Sequence, residues 1–251
     1  MRVIVIASQK GGVGKTTTTQ ALGTLLAQQG KRTLMIDLDP QASLTVACGV
    51  EMGEVGMSEV MMGHKLLSNV LWEVIPSLYL APADTRLIQA ELVMVGKLGR
   101  ENVLKRALHA LESQMTMDYC LIDCPPSLNL LTVNGLTAAQ LVIIPTRPEF
   151  LGKRALLPML ELIDQVREDL NPDLTILGIL PTFYQSRARH HSQILSEWES
   201  DGLSILPVRI PQTIRAAEAP LENKSVTDFA PSSRIAAEYR QLMTILEGAA
   251  P

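Results

Sequence analysis

Short, almost wholly apolar runs alternate along this chain with longer stretches in which apolar residues recur every three to four positions. The runs near residues 2–8, 32–38, 77–82, 119–123, 140–145, 174–181 and 203–208 predict strands, and the periodic stretches near 16–29, 85–112, 152–169, 188–200 and 232–247 predict helices. Boundary residues support the second set. Gly30 suits a left-handed stop for the first helix, Asn171-Pro172 ends the one over 152–169, and Pro231-Ser232-Ser233 opens the last with an N-cap. No internal repeat or low-complexity linker interrupts the alternation. It predicts an α/β fold: one domain over residues 1–251, built on a mostly parallel twisted sheet with helices on both faces. The stretch 40–76 is the least regular. It contains Met52, Met57, Met61 and Met62, and it reads as a mobile cover, a contact surface, or adaptable core filler.

The first strand runs into Gln9-Lys10-Gly11-Gly12-Val13-Gly14-Lys15-Thr16-Thr17, and a helix follows. Gly11, Gly12 and Gly14 let the backbone take positive φ and turn N–H groups inward, while the helix aims its positive end at the same place. Such a cradle fits polyphosphate. Lys15 would reach the β- and γ-phosphates as a point charge, and the Thr16 hydroxyl would join the shell of a bridging Mg²⁺, so the loop implies ATP or a similar triphosphate. The ordinary phosphate loop asks for Gly where this chain has Gln9, and it carries no second lysine such as Lys10. Lys10 sits where a side chain could leave its own loop and be received by a facing subunit.

With Lys-Gly-Gly-Val-Gly-Lys-Thr at 10–16, the chain resembles the deviant Walker A ATPases of the ParA/MinD type. The resemblance implies an ATP-sandwich homodimer in which Lys10 acts across the interface, with Lys10, Lys15 and Asp39 catalytic and Lys10, Gly11, Gly12, Val13, Gly14, Lys15, Thr16 and Thr17 at the nucleotide. Two strand-end carboxylate segments extend it. In Ile36-Asp37-Leu38-Asp39-Pro40-Gln41 the two acids share a strand face at the carboxyl end, where open α/β sheets bind ligands. By resemblance Asp39 directs the attacking water and Asp37 supports the switch region. Cys120-Leu121-Ile122-Asp123-Cys124-Pro125-Pro126 looks like the Walker B segment, so Asp123, with Thr16 and Asp39, would serve the Mg²⁺.

Composition narrows the class. The chain has 251 residues, 47% of them hydrophobic, and no apolar run reaches the roughly 18 to 20 residues of a spanning helix. Met1-Arg2-Val3-Ile4 leads straight into the first strand without a signal-peptide layout, which points to the cytoplasm. Cys120 and Cys124 would lie roughly 13 Å apart along a strand, too far to bridge, so they and Cys48 read as buried free thiols. That spacing, with no clustered histidines, separates the chain from the nitrogenase iron protein, which shares the loop type.

Net charge is −4, yet Arg187, Arg189, His190, His191, Arg209 and Arg215 gather on a short stretch. On charge alone this is a solvated helix surface or a polyanion face. The family writes an Arg after the sixth long strand and another in a motif matched here by Ile210-Pro211-Gln212-Thr213-Ile214-Arg215-Ala216-Ala217-Glu218-Ala219-Pro220, and in chromosome-partition relatives these contact DNA without sequence preference. The resemblance therefore implies DNA contacts by Arg187, Arg215 and Arg189, and places Pro211 beside the adenine. Glu222-Asn223-Lys224-Ser225-Val226 departs from the motif's usual continuation. The expected function is a nucleoid-associated partition or positioning ATPase with slow basal turnover, stimulated by a ParB-like or other cargo adaptor and lacking an N-terminal helix-turn-helix. A membrane-positioning ATPase of the MinD kind is the alternative, but the ending Tyr239 to Pro251 has one basic residue and lacks the basic amphipathic face that class needs. A metabolic enzyme of the cobyrinate or dethiobiotin synthetase type is a third class, against which the arginine motif and the Asp-Leu-Asp-Pro-Gln segment speak.

Overall fold

Successive side chains of a strand point to opposite faces, so a strand apolar at every position needs cover on both. The central strands of this chain receive it. The computed structural model describes residues 1–51, 53, 55–149 and 152–249. Its strands are β1 (Arg2–Ile6), β2 (Thr33–Asp37), β3 (Trp72–Ile75), β4 (Leu78–Ala81), β5 (Tyr119–Asp123), β6 (Leu141–Thr146) and β7 (Thr175–Pro181). They form one seven-stranded sheet in the order β3-β4-β2-β5-β1-β6-β7, parallel throughout except for the antiparallel β3–β4 pair at one edge.

The helices are α1 (Lys15–Gln28), α2 (Ser43–Ala47), α3 (Met57–Met62), α4 (Leu87–Val95), α5 (Val103–Glu112), α6 (Leu130–Ala138), α7 (Gly152–Asp169), α8 (Arg189–Ser200), α9 (Arg215–Glu218), α10 (Val226–Phe229) and α11 (Arg234–Gly248). Val3, Val5, Leu34, Ile36, Cys120 and Ile122 face one core layer with α3 to α8, while Ile4, Ile6 and Leu121 face the other with α1, α10 and α11. The α/β class, the mostly parallel sheet and the two helical layers agree with the sequence pattern.

Besides the short helices α2, α3, α9 and α10, which the pattern did not indicate, four elements differ from it. The single helix expected over 85–112 is two, because the chain turns at Gly96-Lys97-Leu98-Gly99 and Gly99 takes φ 63°. The run 203–208 makes only an isolated bridge. Ile179 N–H donates to Ser204 O and Leu206 N–H donates to Ile179 O, and then Pro207, which has no N–H, ends the ladder. Strand β3 was hidden in the irregular region, and α6 was not foreseen at all: its sequence is apolar or small on every face, so it carries no helical period. Within 40–76, Met57 and Met61 are fully buried in the larger core layer, the filler role; Met52 lies outside the described residues.

The three cysteines are buried free thiols as expected, Gly30 takes φ 77° after α1, and the Ser233 side chain accepts from Ala236 N–H at the start of α11. Among the described residues no helix is long and apolar enough to cross a membrane.

Glycine at 135 brings α6 down onto the central strands. A Cβ there would stand 2.9 Å from Cys124 Sγ and 3.2 Å from Val5 Cγ2, both short side chains on strands or at strand ends that have little room to yield. Gly135→Val should therefore destabilise the chain by about 1–3 kcal/mol through overpacking, read as a lower urea midpoint at unchanged slope. A midpoint equal to wild type would show that α6 has slack the packing does not suggest.

Candidate active site

β1 lies between β5 and β6 at the middle of the sheet, and the loop leaving its carboxyl end makes the cradle. Gly12 and Gly14 take φ 66° and 89°. Gly11 does not enter the left-handed region, so the expectation of three such glycines is corrected to two; Gly11 instead passes Pro126. Gly14 is the N-cap of α1 and offers no side-chain acceptor, which leaves the first N–H groups of a fourteen-residue helix open to an anion.

Lys15 is buried, its Nζ 3.4 Å from Ser8 O. Burial lowers its pKa, opposed first by the neighbouring Asp123 and then by Asp39. Thr16 Oγ1 donates to Asp123 Oδ2 at 2.7 Å, while Asp123 Oδ1 is buried with no hydrogen-bond partner. Burial, then the neighbouring Asp37, pushes the Asp123 carboxyl well above the usual carboxylate range. Asp37 is its cross-strand neighbour in the β2–β5 register and is fully buried. It accepts from Thr45 N–H at 2.9 Å, Thr45 Oγ1 at 2.8 Å and Asp39 N–H at 3.1 Å, yet burial still raises its pKa to about 6. Asp39 is only partly buried, and its Oδ1 accepts from Gln41 N–H at 3.0 Å. The two acids of this segment therefore differ in kind. Asp37 is spent on hydrogen bonds to Thr45 and the Asp39 backbone, whereas Asp39 has access to solvent.

A divalent cation fits this arrangement. The orphaned Asp123 oxygen beside the Thr16 hydroxyl is an oxygen donor set short of positive charge. Among the described residues no group of three or more His, Cys, Asp or Glu could hold a metal by itself, as is usual for Mg²⁺, which keeps waters and takes phosphate oxygens.

Beside the phosphate loop is a pocket lined by Gly14, Thr17, Thr182, Phe183, Ile210 and Pro211, with Tyr239 of α11 behind. Two residues of the site went unnoticed in the sequence. Phe183 lines the pocket in a left-handed conformation, φ 52°, and the Arg147 guanidinium stacks 3.8 Å from its ring centroid. Lys10 does not reach its own cradle; it pairs with Glu149, both side chains being about two-fifths exposed.

Comparison with known proteins places the chain. Residues 1–176 match a family model described as an AAA domain. The sporulation initiation inhibitor protein Soj of Bacillus subtilis is 37% identical over 245 residues, covering 96% of each chain. The chromosome partitioning protein ParA of Caulobacter vibrioides is 38% identical over 230 residues, 90% of this chain and 86% of the relative. The chain belongs to the ParA/Soj family of ATPases. A solved structure from Mycobacterium smegmatis, named cobyrinic acid a,c-diamide synthase with bound ADP and magnesium, superposes with a TM-score of 0.87 at 38% identity, over 98% of this chain and 94% of that one.

In this ParA-type chain the basic strip is smaller than its sequence suggested. His191 is buried and its Nδ1 accepts from Gln185 N–H, and Arg209 is tied to Leu206 O, Val208 O and Glu199. Arg187, Arg189 and Arg215 are exposed and make no ion pair among the described residues. The loops that lead to α8 and α9 are bonded to each other: Tyr184 N–H donates to Ile210 O, Tyr184 bridges to Pro211, and Gln185 Nε2 donates to Gln212 Oε1 at 2.6 Å. Arg187 lies on the first loop, and Arg189 and Arg215 open the two helices.

The buried acids give a pH signature opposite to that of paired carboxylates. Between the ordinary value near 3.8 and about 6 the folded chain holds the Asp37 proton more tightly than the unfolded chain does, so stability falls as pH rises through that window. In nucleotide-free protein, urea unfolding should show wild type losing about 3 kcal/mol relative to Asp37→Asn from pH 4 to above 6. Parallel curves for the two proteins would refute the raised pKa.

Proposed function

We propose that this chain is an ATP-switched partition or positioning ATPase: ATP and Mg²⁺ close a homodimer, the dimer binds DNA without sequence preference, and a cargo-bound adaptor protein stimulates hydrolysis and release. The observation that carries the reading is Lys10, a loop lysine beside a cradle that Lys15 already serves, held outward by Glu149. An exposed pair of that kind contributes about 1 kcal/mol or less, so a triphosphate on a second subunit displaces Glu149 readily.

The geometry supports the following residue roles. Thr16 and Asp123 would hold the magnesium, which would offset charge on the phosphates. Lys15 takes the phosphates from within the cradle; Val13, Thr16 and Thr17 offer N–H groups to them, and the base enters the pocket beside Pro211 and Phe183. Asp39, partly buried and less constrained than Asp37, orients the attacking water. The name borne by the mycobacterial structure favours a second reading, a nucleotide-dependent metabolic enzyme on the same scaffold. Against it stand the exposed Arg187, Arg189 and Arg215, on or just after two loops that are bonded to each other, surface charge a small-molecule enzyme does not need.

With Mg²⁺ and ATP, wild type and Asp39→Ala should both dimerise in light scattering, Asp39→Ala with turnover cut by a factor of about 100 or more, while Lys10→Ala should bind nucleotide as a monomer. An ATP-dependent dimer of Lys10→Ala would remove the trans role, and wild-type turnover by Asp39→Ala would move the water-directing role elsewhere.

The ATP dimer should bind duplex DNA of any sequence, with affinity falling steeply between low and physiological salt, because dimerisation doubles the arginines that release counterions together. Arg187→Glu and Arg215→Glu should each abolish that binding in mobility shifts and leave dimerisation intact. If both variants shift DNA as wild type does, or if wild type never does, the metabolic reading takes precedence.

A further inference from the structure

The loop after β6 was not singled out in the sequence, yet it supplies a side chain that bonds directly to the backbone of the phosphate loop. Arg147 Nη2 donates to Gly12 O at 2.7 Å, across 135 residues of sequence. Its guanidinium lies over Phe183, whose left-handed backbone is strained and is tolerated where surrounding contacts enforce it. Arg147 Nη1 is 3.8 Å from Glu149 Oε1, and Glu149 in turn holds Lys10. One side chain thus touches the cradle, the base pocket and the anchor of the trans lysine.

We propose that Arg147 is a positioning residue of the nucleotide site, which orients the Gly12–Val13 peptide and locks the cradle to the base pocket. This rests on the ATP-binding reading above. The physical basis is the planarity of the peptide unit. In a trans peptide the C=O and the following N–H point in opposite directions, so pinning Gly12 O outward on Arg147 turns Val13 N–H inward. Glycine at 12, in the left-handed region, has no intrinsic preference that would hold this orientation, and a flipped peptide would set a carbonyl oxygen against phosphate. The stack on Phe183 fixes where the guanidinium sits, and so couples base recognition to the loop that grips the phosphates. A guanidinium does this and an ammonium does not: its planar face stacks while its edge donates.

Amide hydrogen exchange on the nucleotide-free protein tests the loop directly. In Arg147→Ala the amides of 11–14 should exchange at least tenfold faster than in wild type, with β1 and β6 unchanged. By calorimetry Arg147→Ala should bind Mg-ATP and Mg-ADP about tenfold or more weakly, and the deficit should persist at 1 M salt, where a through-space charge effect is screened. Arg147→Lys, which keeps the charge, should recover less than half of the loss in log affinity, and Phe183→Leu should reproduce part of it. Unchanged loop exchange, a deficit that disappears at high salt, or full rescue by Lys would each overturn the positioning role. Failure of wild type itself to bind Mg-ATP would overturn the proposed function instead, and the exchange comparison would still decide the role of Arg147 in the loop.

Discussion

Two aspartates buried side by side at the ends of adjacent parallel strands are the constraint around which the site is organised. Asp37 and Asp123 occupy the same rung of the β2–β5 ladder, and both are removed from water. Like charges so placed repel, and burial adds a penalty for each, so at least one proton or one cation must be present. Lys15 answers part of the demand, at the cost of its own desolvation. Asp37 is quenched by three donors, two of them from Thr45, and those bonds pull the start of α2 onto the end of β2. Asp123 has only Thr16 and keeps an empty oxygen. The sheet register therefore creates an electrostatic deficit at one point, and that point is where the phosphate loop begins its helix.

The same register explains why the site is built from so many segments. Parallel strands bring all their carboxyl ends to one side, so the loops after β1, β2, β5, β6 and β7 meet there although they are far apart in sequence. Each contributes a different kind of group: backbone N–H from the first, acids at the start of the next two, Arg147 and Glu149 from the fourth, Phe183 and Arg187 from the fifth. Burial grades the roles. Asp37, Asp123 and Lys15 are inside and fixed, Asp39 is at the boundary, and Lys10 and the three arginines are outside, where a second macromolecule can meet them.

What the sequence made legible follows from what carries local information. The cradle, Thr16, Asp37, Asp39 and Asp123 could be read because strand ends and glycine spacing are short-range signals, and the parallel sheet because fully buried strands are continuous apolar runs. Helix α6 was illegible for the converse reason, since an element buried on every side has no polar face to set a period. The strand expected over 203–208 had the right residues but stands beside β7 for one bridge only. Arg147 and Phe183 could not be found, because their roles consist of contacts among residues 12, 147 and 183 that no local pattern encodes. The basic strip erred the other way: a list of residues counts His191 and Arg209 as surface charge, and only packing shows one buried and the other bonded internally.

Three cations at the phosphate loop are anchored on oxygens of the chain itself. Lys15 rests near Ser8 O, Arg147 on Gly12 O, and Lys10 on the Glu149 carboxylate. These anchors are not equivalent. A carbonyl holds a cation in place without neutralising it, so Ser8 O and Gly12 O orient Lys15 and Arg147, although Arg147 also lies 3.8 Å from Glu149 Oε1. A carboxylate partner offsets the charge and draws Lys10 away from the cradle of its own chain. On the proposed reading, Lys10 would leave Glu149 only for something more negative presented from outside, and a triphosphate on a facing subunit has that character where a lone surface carboxylate does not. The tighter carboxylate anchor on Lys10 is therefore what the proposed dimer would have to break, whereas the backbone anchors of Lys15 and Arg147 need not be.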